Sequence, residues 1–598
     1  MFVPIIFLIT ISLYSCSERN KAPGRNDKIS VVLEDGEGFT AKPNVIFIES
    51  GDDALFHIKL EGGMKILSCD YKDYEIVDEA VSQIDKYGYQ LLILHNVRYS
   101  TVVSVQAYSP HMIEYYANGG KRKDGGNSSE PVILEGSTGH LRTNTALGND
   151  IFERDGCVLV SWNTKADGSG ERIGIGSRVD SEKNDVLYAV WAQAPETGLF
   201  TYREDERGLF ITGLRAETDC IVIPAYIDGI PVKGISSSAF EKSQAKELVL
   251  PETLEIIEPD AFLDAALETV TFYDSLTDVS DDSFRGCNIR TIHVNAVKKP
   301  VYSGTYFDTF PDKVDWLKSL AEQKKIVLFS GSSARFGYDS EMIDDAFEEY
   351  AVANMGVYAY SSSKPQYELI LGNMKRDDVL IVAPEFDAIE EQFCSTDNLW
   401  YEFFAMTESN YDLLSELDMR NYSHVWDDFR EYQKNRLDMP AKNYSVTPKN
   451  HDEDGNIVGG METYNKYGDY IYPRPNQETE GLFGIKRATY LVADFPEETV
   501  ECLNVVLEKF IEKGIKVFFS YAPRSEKSVT EGSDKDERSR LDAYLREKLS
   551  VPVISGIEES IYNAIYFYGT DNHLSDEGVE VRTERIIDDL KKQLYLKT

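Results

Sequence analysis

Phe240, Phe262 and Phe284 stand 22 residues apart, and three more columns keep that period. These are Ile235, Ile257 and Val279, then Leu248, Val270 and Ile292, then Leu250, Phe272 and Val294. Each unit reads as a short strand (ELVLP, TVTFY, TIHVN) followed by a turn that carries a Phe. One such unit cannot bury its own apolar face, so successive units must stack on one another. The period therefore predicts a short parallel solenoid over residues 206–298, with three to four units.

The rest of the chain cannot share that core. At 598 residues the sequence calls for about three to five domains. With 42% hydrophobic and 12% aromatic residues it has the make-up of a folded protein. The 62 basic against 102 acidic residues give a formal charge of −40, which excludes nucleic-acid or anionic-membrane binding through a general basic face. Much of that charge serves to solvate helix faces. The repeats resemble the BspA-type leucine-rich repeats of bacterial surface proteins. That resemblance implies either a recognition surface for a protein or glycan ligand or a rigid spacer.

The N-terminus, MFVPIIFLITISLYSCSERNK, has an apolar stretch that ends in small residues. It is too short to span a bilayer comfortably and reads as a secretory signal, residues 1–16. Leu13-Tyr14-Ser15-Cys16 resembles a bacterial lipobox, which implies lipidation of Cys16; a plain signal peptide and a signal anchor are the alternatives. Residues 17–43 are polar and read as a tether. Short alternating runs over 44–130 (NVIFIES, ALFHIKL, STVVSVQAY) predict a β-sandwich-like domain. Residues 131–193 carry hairpin turns at Asp155-Gly156 and Asp167-Gly168 between apolar runs, with Trp162 and Trp191 expected in the core. That stretch resembles the internalin-type β-grasp repeat. The six remaining cysteines, Cys69, Cys157, Cys220, Cys287, Cys394 and Cys502, show no metal-ligand spacing, and their pairing is left open.

From residue 305 onward strand-like runs alternate with helical stretches: IVLFS, YAVANM, VLIVAPEF, KVFFSYAP and VPVISG. This predicts a five-stranded parallel sheet covered on both faces, an α/β/α three-layer domain over 305–598 with an insertion at 388–490. The insertion is rich in aromatics (LWYEFFAM, YSHVWDDF, YNKYGDYIYP). They suit a cap over the sheet, or a carbohydrate-stacking cleft.

Ligands of such a sheet bind at the carboxyl ends of its strands. Those ends carry Gly331-Ser332-Ser333, Asn354-Met355-Gly356, Glu385 with Asp387, and Arg524. The loop before the last helix adds Asp571 and His573. A serine needs a base within hydrogen-bond reach, the base needs an orienting partner, and the developing oxyanion needs N–H donors. Ser332 is the expected nucleophile and His573 the base. Asp571 is the expected orienter, and the Gly356 and Ser332 N–H groups are the oxyanion donors. Ser332 as a plain helix-capping residue and Ser333 as the nucleophile are the alternatives. Glu385 and Arg524 are candidates for contacting substrate; a structural hydrogen-bonding role for Glu385 and surface pairing for Arg524 are the other readings.

These blocks, SGSSARFGYDS, NMGVY and DNHLSDEG with the piece YNKYGDY, resemble an SGNH (GDSL-like) hydrolase. The resemblance implies ester hydrolysis through an acyl-serine, with no metal and no organic cofactor. It also suggests an O-acetylated surface carbohydrate or other acyl ester as substrate. In two places the chain departs from that pattern. PEFD offers Glu385 where the family places an oxyanion Asn, and an ionised carboxylate cannot donate. The Asp–His spacing is D-x-H rather than D-x-x-H. The sequence thus yields a multidomain chain at the cell surface, touching a membrane only through a lipid anchor. Two alternatives stand beside the hydrolase: a non-catalytic adhesin with a degenerate hydrolase domain, and an O-acyltransferase acting on a surface glycan.

Overall fold

A computed structural model describes residues 28–595 except 35–38, 61–64, 72, 78–89, 109–110, 137–150, 180–185, 195, 299, 303–306, 308, 359–362, 387–388, 395–398, 443–463, 472 and 477–487. Cys16, the leader around it and Asp387 lie outside the described residues. The chain divides into two compact units, Met1–Pro110 with His451–Val458, and His111–Asn450 with Gly459–Thr598.

The first unit is all β. Phe39–Lys42, Asp52–Leu60, Gln90–Val97 and Tyr74–Val77 form one antiparallel sheet, in spatial order as named; Val45–Ile48, Ile29–Leu33 and Thr101–Val103 form another. Alternation decides which side chains go inward: Ala54, Phe56 and Ile58 of one strand are buried beside Val31, Leu92 and Leu94. The tether expected over 17–43 is shorter than its composition implied. Ile29, Val31 and Leu33 alternate with Ser30 and Val32, and that apolar row makes Ile29–Leu33 a core strand.

The boundary expected at residue 130 falls instead near 110. His111–Tyr116 pairs with Val132–Gly136 on one side and with Val186–Gln193 on the other. Cys157–Asn163 and Arg172–Ile173 complete this five-stranded sheet. Trp162 is fully buried at its centre, edge-on to Tyr115 at 4.9 Å. Trp191 is only half-buried and donates its indole N–H to the Ala117 carbonyl at 2.9 Å. Gly156 and Gly168 take φ of +69° and +77°, the left-handed geometry that the two turns need.

The solenoid follows. Cys220–Val222, Glu247–Val249, Thr269–Tyr273 and Thr291–Asn295 form a parallel ladder in which Leu248, Val270 and Ile292 are in register. The Phe column stacks at 5.1 Å from Phe240 to Phe262 and at 5.0 Å from Phe262 to Phe284. The stack does not stop there: Trp426 of the insertion continues it at 4.2 Å and 20°. A solenoid needs a closing element at its end, and the helix Val425–Lys442 supplies it. Phe429 packs on Phe272, and Tyr432 stacks on Tyr302. The described insertion aromatics Phe403, Phe404, Trp426, Phe429 and Tyr432 are buried. These five seal the solenoid against the α/β domain. Trp426→Ala is expected to cost about 3–5 kcal/mol, read as a lower urea midpoint, with Trp426→Phe recovering part of the loss.

Polar bonds reinforce that seal. Buried Glu408 accepts from Val301 N at 2.7 Å, Tyr302 N at 2.9 Å, the Tyr432 hydroxyl at 2.9 Å and Arg436 Nε at 2.5 Å. The five-stranded sheet before the solenoid is tied in as well, through Arg172 to Asp412 at 2.9 Å and Ile175 N to Asn295 Oδ1 at 3.0 Å. His111–Asn450 and Gly459–Thr598 thus form one compact unit.

The C-terminal α/β sheet has four parallel strands in the order Ala351–Asn354, Lys325–Phe329, Val379–Val382, Lys516–Phe519. Alternate residues serve two cores. Val327, Phe329, Leu380 and Val382 pack with Leu503, Val506 and Phe510 of the helix Glu497–Glu512. Ile326, Leu328, Val352 and Ile381 pack with Ile343, Ile586 and Leu590. That is the three-layer arrangement expected. The fifth strand, expected over 551–556, is reduced to a single parallel bridge between Phe519 and Val553, because Pro552 has no N–H to extend the ladder. No helix among the described residues is long and apolar enough to cross a membrane.

Candidate active site

The first strand ends at Phe329, and Ser330 and Gly331 turn the chain into the short helix Ser332–Arg335. Ser332 Oγ lies 2.8 Å from His573 Nε2. The His573 loop is locally fixed: His573 N donates to Thr570 Oγ1 at 3.0 Å, and the His573 carbonyl accepts from Tyr568 N at 3.0 Å. Its ring stacks on Phe336 at 4.2 Å. Loss of solvent around the ring, and then the positive charges of Arg474 and Arg335, pull His573 down to about 3. The imidazole is therefore neutral at ordinary pH and able to accept a proton.

Ser333, the alternative nucleophile, is completely buried. Its Oγ sits 3.2 Å from Ser330 Oγ, and its N–H is bound by Glu385. Ser332 alone of the two faces the histidine.

Asp571 does not orient His573. Its Oδ2 accepts from Arg524 Nη1 at 2.8 Å, with both side chains buried, and no hydrogen bond joins it to His573 among the described residues. The reason is electrostatic: Arg524 enters from the fourth strand end, and a buried guanidinium without a counter-charge is costly. Arg524 is correspondingly a buried residue and not a surface one. Asp571→Asn is expected to leave kcat/KM within about threefold while destabilising the fold by about 3 kcal/mol, measured by paired ester-hydrolysis and denaturation assays.

Glu385 is likewise turned inward. Its Oε2 accepts from Ser330 Oγ and Gly331 N, both at 3.1 Å, and its Oε1 accepts from Ser333 N at 2.7 Å. It clamps the turn that presents Ser332. Gly356 N, expected at the oxyanion, donates to Asn354 Oδ1 at 3.0 Å. Gly356 is needed for close approach, since a Cβ there would meet Arg335 N at 2.6 Å and Ala334 Cβ at 2.7 Å. Of the two expected donors, the Ser332 N–H is the one no described residue engages.

The support beneath these turns left little trace in the sequence. Asn354 Nδ2 donates to Asp469 at 2.8 Å and to the Ala334 carbonyl at 2.9 Å. Asp469 also takes the Ser340 N–H and hydroxyl at 2.8 and 2.7 Å. Fully buried Lys313 donates to the Asn354 carbonyl at 2.8 Å, and burial draws its ammonium down to about 7. Arg582 of the last helix donates to the Ser333 carbonyl at 2.8 Å. YNKYGDY was the signal for Asp469; Lys313 and Arg582 have none.

Away from this site, Asp281, His424 and Asp427 bring one possible metal-ligand atom each within 4.8 Å of one another. Asp281 there already accepts from Trp426 N at 3.0 Å and lies 3.1 Å from His424 Nδ1, which fixes the start of the closing helix.

Fold and site together define a multidomain protein, β-rich toward its N-terminus, whose leucine-rich solenoid is sealed onto a C-terminal α/β domain. Comparison with family models identifies the solenoid: residues 233–310 match the BspA type leucine rich repeat region in six copies, where the 22-residue period gave three to four units. The chain thus carries BspA-type repeats. No curated protein matches it.

Proposed function

We propose that the chain is a cell-surface serine esterase of the SGNH type, deacylating an O-acylated carbohydrate or related acyl ester. The observation that carries this reading is the 2.8 Å contact between Ser332 Oγ and His573 Nε2 at the carboxyl edge of a parallel sheet. Ser332 Oγ attacks the ester carbonyl as His573 Nε2 takes its proton, and the Ser332 N–H is placed to stabilise the oxyanion. His573 returns the proton to the leaving alcohol, leaving an acyl-serine. Water then attacks that acyl group, with His573 again as base, and frees the acid. The Phe336 stack positions the His573 ring in place of Asp571, with Thr570 fixing only the backbone of its loop, which makes the unit a Ser–His dyad.

The surface location, lipidation at Cys16 and the internalin-type kinship of residues 131–193 belong to the same proposal. The repeats would engage a protein or glycan ligand. Two observations favour a second reading, a binding protein that has lost turnover: Glu385 replaces an oxyanion donor, and the Gly356 N–H is already engaged. A fluorophosphonate probe separates the two. Mass mapping of a single adduct on the Ser332 peptide supports the esterase, and no adduct at saturating probe supports the binding protein. Transfer rather than hydrolysis would show as acylated glycan when an acceptor sugar is added to the ester assay.

A further inference from the structure

Phe336 is where the two halves of the candidate dyad meet. Its N–H donates to the Ser332 carbonyl at 3.0 Å and closes the short helix that bears the nucleophile. Its ring is the one on which His573 stacks at 4.2 Å. Its carbonyl accepts from Arg474 Nη1 at 2.7 Å. Arg474 comes from the end of the insertion and is only 4% exposed. The same residue is fastened to the start of the last helix, three residues beyond His573. Arg474 N donates to Asp576 Oδ2 at 2.9 Å, and the Arg474 carbonyl accepts from Asp576 N at 3.0 Å. Its Nε lies 3.5 Å from Asp576 Oδ1. One residue thus reaches from the nucleophile's helix to the helix start behind the base. A plain structural arginine, tying a loop to a helix, is the bland account. Against it, the two backbone bonds to Asp576 already make that tie. The side chain crosses to Phe336 instead and stays buried, beside a carboxylate that is itself 57% exposed, and burying a guanidinium with so partial a counter-charge is costly.

We infer that Arg474 is a positioning residue for the acyl transfer, holding the Ser332–His573 contact through its bond to Phe336; this rests on the esterase reading above. Arg474 makes no hydrogen bond to Ser332 or His573 among the described residues and takes no part in the bond changes. It acts in two ways. The Nη1 bond fixes Phe336 and with it the ring on which the base lies. The positive charge, next after loss of solvent, holds His573 down. Arg335, from the nucleophile's helix, adds to that charge. The carboxylates nearby are engaged elsewhere: Asp571 with Arg524, Glu385 with the Ser333 turn, Asp469 with Ser340 and Asn354, and Asp576 with Arg474 itself. Removing the guanidinium therefore lets the imidazole take a proton at higher pH. A lysine keeps the charge, but its point-like ammonium cannot reproduce the planar fork that reaches Phe336.

The test compares the full chain with Arg474→Lys and Arg474→Gln in steady-state hydrolysis of p-nitrophenyl acetate from pH 4 to 8, with an unfolding midpoint for each. Both variants should lose about tenfold in kcat with KM little changed. The acid limb of kcat/KM should move to higher pH in Arg474→Gln and stay in place in Arg474→Lys. A raised KM with kcat held would make Arg474 a substrate contact. An unchanged kcat and pH profile in both variants would make it a structural tie. Either result overturns the inference, and Arg474→Lys alone decides between them if the glutamine variant does not fold. A wild type with no turnover and no fluorophosphonate adduct on Ser332 removes the esterase reading and this inference with it. An active wild type beside unimpaired variants removes this inference alone.

Discussion

Replacing Ser332 with alanine is expected to lower kcat for an acyl ester by about 10⁴-fold or more, with the denaturation midpoint unchanged. The large effect follows from the chemistry, because no other hydroxyl shares the place. Ser333 is sealed beneath the turn, and the single Ser330 hydroxyl proton is shared between Glu385 and the Ala383 carbonyl. The fold tolerates the change because Ser332 Oγ bonds to His573 and lies at the start of a helix of four residues. His573→Ala should be as damaging, and the double variant no worse than either single one, since the two groups act as one unit. The assay is p-nitrophenyl acetate and an acetylated glycan, wild type beside each variant. Equal turnover in wild type and Ser332→Ala would remove the hydrolase reading outright.

The same pair sets a pH dependence of definite sign. His573, drawn down to about 3, is already neutral through the acid range where an ordinary imidazole is charged. kcat/KM should therefore be level from about pH 5 to 8 instead of falling below pH 6.5 as for an ordinary histidine base. Stability runs the other way from a salt-bridged histidine. Between the folded value and the ordinary one the unfolded chain binds the extra proton, so this contribution is complete above about pH 6.5 and is lost as pH falls toward 3. A carboxylate partner would have stabilised the imidazolium and moved the acid limb up; Asp571 has given that interaction to Arg524.

What could be read from the residues depended on whether a pattern is local. The solenoid registers, the strand ends and the Ser332–His573 pairing are periodic or positional, and they appear where the period and the sheet rule put them. The closing of the solenoid by Trp426 was not legible, because nothing local distinguishes an aromatic that caps a distant stack from one that packs beside its own helix. The Asp571 assignment failed for a related reason. A D-x-H spacing shows that a carboxylate is near the histidine in sequence, but not that a buried arginine on another strand end competes for it. Gly356 was placed correctly at the turn, yet its N–H direction depends on Asn354, whose amide is in turn held by Asp469 more than a hundred residues on.

Glu385→Gln should be the most damaging change outside the dyad: a loss of about 2–4 kcal/mol in stability and about 10²-fold in kcat, with KM little moved. Both carboxylate oxygens are acceptors for the same turn: Oε1 for Ser333 N, Oε2 for Gly331 N and Ser330 Oγ. A glutamine has only one acceptor oxygen. Its amide nitrogen would face a backbone N–H, donor against donor, in a place with 1% exposure where no water replaces the lost bond. The turn would have to move, and with it Ser332 Oγ, whose contact with His573 Nε2 carries the proposed chemistry. Binding groups elsewhere would be untouched, so the loss should fall on kcat. Asparagine, the residue expected at this position for an oxyanion donor, is too short by one methylene to restore the clamp. Glu385→Asn should therefore be no better than Gln, even though it supplies an amide N–H. Steady-state kinetics of the two variants at matched folding, checked by circular dichroism, decide between a clamp and a vacated oxyanion position. Recovery of activity in Glu385→Asn above wild type would mean that the carboxylate had been blocking a donor site, and Glu385 would then be an obstruction rather than a clamp.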